Sequence, residues 1–234
     1  MRSNTPHTLL LFPLLWLCLW CGKGELSAQE KAATAFLEMP DSITPHFDRD
    51  SKSRLLEQYT LKATGRSSEA VRNIYGGNSE IQSLTDTRLV VRIDDSTLFE
   101  MKVFRTRKRK EPVVGVIYTD TTAPAISVFA FYAPHKGWER LSTPDLIALP
   151  KPEEFLLSEI LRDDLEVKKA LVERGLWSYT ASFSDSSETL LLTPTTFTDS
   201  TALALYPGML SKLVPGLTYE WNRKAFVKKD SRLR

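Results

Sequence analysis

The sequence predicts an α+β protein in which helices are followed by an antiparallel β-meander, and in which this order occurs twice. Two observations support this prediction. Apolar residues recur at helical spacing at the start of each half of the chain, and they alternate with polar residues in the segments that follow. Runs of helices followed by runs of strands are typical of α+β proteins rather than of alternating α/β proteins. The halves meet near Leu149-Pro150, and they could form two similar subdomains that share one sheet.

Three helical segments are predicted ahead of the first strands. The first, from Gln29 to Leu37, is rich in alanine and stops before Pro40. The second begins at Ser53, a residue type that caps helix N-termini. The third runs from Ser67 to Ile74, and Gly76-Gly77-Asn78 is expected to end it, because glycine and asparagine tolerate a left-handed backbone.

The period then changes from helical to alternating. Thr87 to Ile93 and Thr97 to Phe104 each place apolar and polar residues on opposite sides, with Glu100 and Lys102 on the polar side. The polar turn Asp94-Asp95-Ser96 joins the two segments. We therefore expect a hairpin with one solvated face.

Two further segments are apolar on both faces. Pro112 to Thr119 and Ala125 to Tyr132 are therefore predicted to be interior strands, and Trp138 to Leu141 begins a short edge strand. Together these segments predict a meander of four or five strands. Its aromatic residues are expected in the core, because large aromatic side chains are usually buried; they include Phe129, Phe131, Tyr132 and Trp138.

The second half shows the same order of patterns. A helical region is predicted from Pro152 to Arg174, and alternating strands follow from Trp177 to Phe183 and from Thr189 to Thr195. A final hairpin is predicted over residues 217–227, with Arg223 in its turn. Arginine is an unfavourable residue there, since it must adopt a left-handed backbone.

The first 28 residues have the pattern of a secretory signal peptide. Arg2 precedes an apolar run from Leu9 to Trp20, and small residues precede the expected cleavage near Ala28. A retained membrane anchor is the alternative, although the run is shorter than the roughly 20 residues that span a bilayer. Cleavage would remove both cysteines, Cys18 and Cys21, and would place the protein in the periplasm or cell envelope.

The predicted organisation is therefore a signal peptide over 1–28, helices and a meander over 29–148, and a second helical region with strands over 149–234. The last two parts could also form one continuous domain. The formal net charge of the chain is +2. A near-neutral balance argues against nucleic acid as a partner, since such binding usually needs a strongly basic face. No integral membrane segment is expected after cleavage.

Several blocks of the sequence together resemble an exported Bacteroidetes family known as domain of unknown function 3256. They are Met39-Pro40-Asp41-Ser42-Ile43-Thr44-Pro45, Ser53-Arg54-Leu55-Leu56, Gly76-Gly77-Asn78-Ser79-Glu80-Ile81 and Leu84-Thr85-Asp86. The resemblance returns at Tyr219-Glu220-Trp221-Asn222, where the family pattern has glycine in place of Arg223. It implies an exported envelope protein and supplies no activity, cofactor or catalytic residue. From their chemistry alone, these residues are expected to form caps and turns.

No constellation in the sequence matches a known catalytic centre. His46 with Asp48 and Asp50 is the densest group of metal-ligating residues, but it lacks the glycine and the terminal glutamate of a calcium loop. The mature chain would contain no cysteine nucleophile, and the sequence has neither a Gly-x-Ser-x-Gly motif nor a phosphate-binding glycine loop. We therefore predict no catalytic residue, no cofactor and no metal ligand.

The strongest charge feature lies between two predicted strands and consists of Arg105, Arg107, Lys108, Arg109 and Lys110. This loop could hold an anionic glycan, a lipid head group or an acidic partner, or it could simply be solvated. The leading hypothesis is a non-enzymatic envelope module that binds or assembles with an unknown envelope protein or anionic polymer. The alternatives are a hydrolase or inhibitor acting on envelope polymers, which needs an acid pair from distant segments, and a purely structural component.

Overall fold

Two antiparallel sheets that pack face to face form the framework of the protein. The structure is a computed structural model that describes residues 30–108, 111–122, 124–157, 178–195 and 213–229. The larger sheet has seven strands in sequential order: β1 (Val71–Arg72), β2 (Asn78–Leu84), β3 (Arg88–Arg92), β4 (Thr97–Phe104), β5 (Val113–Asp120), β6 (Ile126–Ala133) and β7 (Glu139–Leu141). The smaller sheet has the order β11-β10-β9-β8, with β8 (Tyr179–Phe183), β9 (Thr189–Pro194), β10 (Leu217–Trp221) and β11 (Phe226–Lys228). The predicted α+β class is confirmed.

The two longest described helices lie on one face of the larger sheet. α1 (Glu30–Glu38) packs on β3 and β4, and α2 (Arg49–Ala63) packs on β1 and β2. α3 (Thr143–Leu146) is a single turn after β7, and 3₁₀ turns occupy Pro134–Lys136 and Pro152–Phe155. No described helix is long and apolar enough to cross a bilayer.

The opposite face of the larger sheet is covered by the smaller sheet. Phe104 and Phe131 of the larger sheet share a buried core with Phe183 and Trp221 of the smaller one. The approach is close at Gly115, where an added Cβ atom would lie 2.6 Å from Cζ of Phe183. A side chain at this position would therefore force the sheets apart.

The third predicted helix, Ser67 to Ile74, is wrong, because this segment forms β1 and the turn that leads into β2. The buried side chain of Asn73 explains the difference. Its Nδ2 donates to Ser79 Oγ and to the carbonyl of Ile93, while its Oδ1 accepts from the backbone amides of Tyr75 and Gly77. Such bonds compete with helix formation. Gly76, at a φ of 85°, therefore serves a hairpin rather than a helix end.

The turn before α2 is anchored by a buried lysine that the sequence analysis did not identify. Lys52 is 1% exposed, and its ammonium donates to the carbonyl of Met39 at 2.6 Å and to Asp41 at 3.1 Å. The predicted helix start at Ser53 is too late in the chain, since α2 begins at Arg49 and Asp48 caps it by accepting from the amide of Ser51 at 2.8 Å. The blocks around Met39 and Gly76 therefore have structural contacts, as their residue types suggested.

The expected solvated face of the β3–β4 hairpin is wrong. Glu100 is 8% exposed and Lys102 is 2% exposed, because the turn between β8 and β9 covers them. The alternation of polar and apolar residues along β4 correctly predicts a strand. It cannot show that a second sheet, from residues some 80 positions later, covers the polar side.

Glu100 and Lys102 belong to an inter-sheet polar cluster that also contains Arg88 and the more exposed Asp185. Glu100 accepts hydrogen bonds from Arg88 Nε at 2.8 Å and from the amide of Phe183 at 2.5 Å. Arg88 also pairs with Asp185, and Lys102 donates to the carbonyls of Ser184 and Ser187. Burial raises the pKa of Glu100 against the opposing effect of Arg88, and burial lowers the pKa of Lys102.

The described strands of the second half form a sheet of their own, so the expectation that the two halves share one sheet is wrong for this part of the chain. Most of the predicted helical region from Pro152 to Arg174 lies outside the described residues, and the part that is described begins with a 3₁₀ turn. The repeated order of helices and strands, and the boundary between 29–148 and 149–234, therefore stay predictions. The final hairpin over 217–227 is confirmed.

We predict that Lys102→Met destabilises the protein far more than Lys62→Met, which makes the same chemical change. Methionine at position 102 would leave the partly buried carbonyls of Ser184 and Ser187 without this donor, with an expected loss of about 1–3 kcal/mol. Lys62 is 61% exposed in its pair with Glu80, and such pairs contribute about 0–1 kcal/mol. Urea unfolding of both variants measures the difference; equal losses would contradict the structural role of the cluster.

Candidate functional site

A groove of about 630 Å³ opens beside the loop between β4 and β5. Its walls come from α1, from that loop, from the segment around Pro134 and from the turn between β10 and β11. We call it the basic groove and define it by four cations, Lys31, Arg105, Arg107 and Arg223, and by the apolar residues Val103, Val114 and Trp138. A ligand in this groove would meet positive charge and apolar surface together.

The structure places the loop residues singled out from the sequence in three different situations. Arg105 and Arg107 line the basic groove. Lys108 lies outside it, in an adjacent depression of about 310 Å³ that shares Arg107 and Arg223 with the groove. Arg109 and Lys110 lie outside the described residues. The predicted cluster is therefore part of a larger basic surface, to which the sequence analysis had not assigned Lys31 or Arg223.

The arginines of the groove are available to a ligand. Within the parts of the chain that the structure describes, the side chains of Arg105, Arg107 and Arg223 make no ion pair or hydrogen bond. Lys31 pairs with Asp86 at 2.9 Å, and Glu38 is the one carboxylate among the described lining residues. Since arginine presents a planar set of N–H donors that matches carboxylate and phosphate oxygens, the groove is suited to an anion.

Backbone contacts hold the loop between β4 and β5 in position. Trp221 of β10, which is 4% exposed, donates from Nε1 to the carbonyl of Arg105 at 2.6 Å. Thr106 Oγ1 lies 2.8 Å from the carbonyl oxygen of Lys108 and 2.9 Å from that of Glu111. The loop is therefore fastened to the smaller sheet and to itself, so the two arginines start from positioned backbone.

The groove also concentrates backbone strain. Trp138 has a φ of 65° and Arg223 a φ of 71°, and these are the two non-glycine residues with positive φ in the described part of the chain. Both line the groove. A left-handed backbone costs an L-residue about 1–2 kcal/mol, and such strain clusters at functional sites. Trp138 also packs against the core, which accounts for a large side chain there, whereas the Arg223 side chain makes no ion pair or hydrogen bond with a described residue, so its strain points to a role in the groove.

The densest histidine and aspartate cluster lies elsewhere. His46 packs against the rings of Tyr75 and Tyr118, and burial lowers its pKa. Asp48 is the cap of α2, and the Ser51 bonds lower its pKa. No group of three or more metal-ligating side chains converges among the residues that the structure describes.

The predicted aromatic residues divide between the core and the groove. Phe131 is fully buried, and Phe129 packs against the core between the sheets. Tyr132 and Trp138 pack against the core below the helices, and Trp138 also lines the groove. The sequence did not indicate that Trp138 lines the groove, because the elements that leave part of its ring exposed come from distant parts of the chain.

We predict that Arg223→Gly stabilises the protein by about 1 kcal/mol, since glycine adopts a φ of 71° without the penalty of a side chain. The matched control is Lys224→Gly in the same turn, where φ is not positive and glycine should cost roughly 0.5–1 kcal/mol. Thermal and urea unfolding of both variants test the sign. Destabilisation by Arg223→Gly would mean that arginine has a structural role in the turn.

Comparison with known proteins identifies a similar fold and a family, and neither has an assigned activity. One solved structure, described as a domain of an uncharacterized protein from Porphyromonas gingivalis W83, is similar at 19% sequence identity with a TM-score of 0.63. The alignment covers 85% of this chain and 97% of that one, and supports a shared fold. No curated protein matches the chain. The family described as Protein of unknown function (DUF3256) matches residues 24–226, well beyond the blocks that first suggested it, and the chain belongs to this family.

Proposed function

We propose that the protein is an exported, non-enzymatic binding module that holds an anionic ligand of the cell envelope in the basic groove. The observation that carries this proposal is the convergence of Arg105, Arg107 and Arg223, none of which is neutralised by another described residue. Three guanidinium groups that come from two distant segments of the chain meet at one concave surface. A solvated loop would not require such convergence.

The position of these groups supports binding rather than mere solubility. The carbonyl of Arg105 is held by Trp221, and Arg223 is kept in a left-handed backbone conformation. A site whose backbone is already ordered loses less conformational entropy when a ligand binds. The groove is therefore suited to recognise a phosphate, sulfate or carboxylate group.

The lining of the groove favours a binding role over hydrolysis. Cleavage of a glycan needs two carboxyl groups about 5–10 Å apart across the scissile bond. Among the described residues of the groove, Glu38 is the one carboxylate, and it lies among four cations. This composition supports the non-enzymatic proposal over the hydrolase alternative.

A binding experiment tests the proposed site. Calorimetric titration with inorganic polyphosphate should show binding that weakens as salt rises, because exposed charges are screened. The double variant Arg107→Ser with Arg223→Ser should bind at least tenfold more weakly, a loss of about 1.4 kcal/mol. The matched control is the double variant Arg49→Ser with Arg66→Ser, which replaces two exposed arginines outside the groove. It should bind polyphosphate as tightly as the wild type does. Equal weakening in both variants would indicate a general charge effect and contradict the proposal.

Export is the part of the proposal that places the ligand in the envelope. It is supported by the basic and apolar pattern of residues 1–28. The expected outcome is that protein isolated from its native envelope begins near Gln29 and contains no cysteine. Intact-mass measurement after cell fractionation tests this, and a full-length mass or a cytoplasmic location would reject export.

A further inference from the structure

An uncovered apolar strip leads away from the basic groove along β6. Val128 is 67% exposed and Ile126 is 46% exposed, and the two lie two residues apart on the same strand. Alternate residues of a strand point to the same face, so these two share a face with Ala130 and Tyr132. The opposite face of β6 is buried, with Phe131 fully covered. We call this face, from Tyr132 to Ile126, the apolar strip.

The strip is exposed because the helices cover the other end of the sheet. α1 lies on β3 and β4, and α2 lies on β1 and β2. The Tyr118 hydroxyl of β5 donates to the carbonyl of Ile43, so the segment between the helices reaches as far as β5. Beyond that contact, Val128 stands directly opposite Tyr118 in the sheet and remains open to solvent.

The near end of the strip lies beside the groove. Val114, in the wall of the groove, is the register partner of Tyr132, at the near end of the strip. Trp138 lines the groove and packs with Tyr132 against the core below the helices. From Tyr132 to Ile126 the strand extends roughly 20 Å at the usual rise per residue. Positive charge is thus placed at one end of an elongated apolar surface.

We infer that the ligand is an amphiphilic anion, whose phosphate or carboxylate head lies at Arg105, Arg107 and Arg223 and whose single apolar chain lies along the strip. This inference rests on the proposed anion site and adds the chemical class of its ligand. Charge complementarity selects the head, since the groove is cationic at the β4–β5 loop. The exposed Val128 and Ile126 favour an apolar hydrocarbon chain on the ligand. Such a chain would remove both residues from water, whereas a purely ionic ligand would leave them exposed.

Titration with alkyl phosphates tests the inference. Butyl, octyl and dodecyl phosphate are compared with inorganic phosphate and with uncharged dodecyl maltoside, all below their micelle-forming concentrations. Affinity should rise at least tenfold from butyl to dodecyl phosphate, because each further methylene that leaves water adds to binding. Dodecyl maltoside, with the same chain and no charge, should bind at least tenfold more weakly than dodecyl phosphate.

Two matched variants separate the strip from the groove. Val128→Asp should lower the affinity for dodecyl phosphate at least tenfold and leave the affinity for polyphosphate unchanged. Val227→Asp changes a valine of the smaller sheet that is 53% exposed, and it should leave the affinity for both ligands unchanged. Circular dichroism and urea unfolding establish that both variants remain folded.

The possible failures are distinguishable. If polyphosphate binds through Arg107 and Arg223 but affinity for alkyl phosphates is independent of chain length, the inference is overturned and the anion site stands. Equal weakening by Val128→Asp and Val227→Asp would also overturn the inference. If neither polyphosphate nor any alkyl phosphate binds, both the proposed function and the inference about its ligand are overturned.

Discussion

The burial of Glu100 and Lys102 between two sheets is the constraint on which the rest of this structure depends. Charged groups inside a protein need hydrogen-bonded partners, since an unpaired buried charge is strongly destabilising. Here the partners are the amide of Phe183, the carbonyls of Ser184 and Ser187, and the guanidinium of Arg88. These bonds join β4 of the larger sheet to β8 and to the turn between β8 and β9, so the polar cluster helps to fix how the smaller sheet lies on the larger one.

That placement also creates the basic groove. Once the smaller sheet is docked, Trp221 of β10 reaches the carbonyl of Arg105, and the turn that follows brings Arg223 beside Arg107. The close approach at Gly115 permits this arrangement, because a side chain there would collide with Phe183. The groove is therefore a consequence of sheet packing, although this packing gives no reason for an arginine at the strained position 223.

The family blocks around Met39 and Gly76 serve the fold rather than the groove, whereas Trp221 of the last block fastens the groove loop. Lys52 anchors the segment around Met39 and Asp41, and Asn73 and Ser79 fasten the β1–β2 turn to the end of β3. The residues that give the groove its charge lie outside these blocks. Membership of the family thus accounts for the scaffold, and the local chemistry of the groove supports the proposed ligand.

The sequence alone determined the local structure of most described strands, because alternation along β3, β4, β8 and β9 follows from the geometry of an extended chain. It also indicated Arg105 and Arg107 as a charged loop and Arg223 as a strained turn residue. Only the tertiary structure decided that Glu100 and Lys102 are buried, that residues 71–84 pair as strands, and that Arg223 joins Arg105 and Arg107 at one groove. The physical reason is that periodicity reports the two faces of an element, whereas burial, pairing and convergence depend on contacts between residues far apart in the chain.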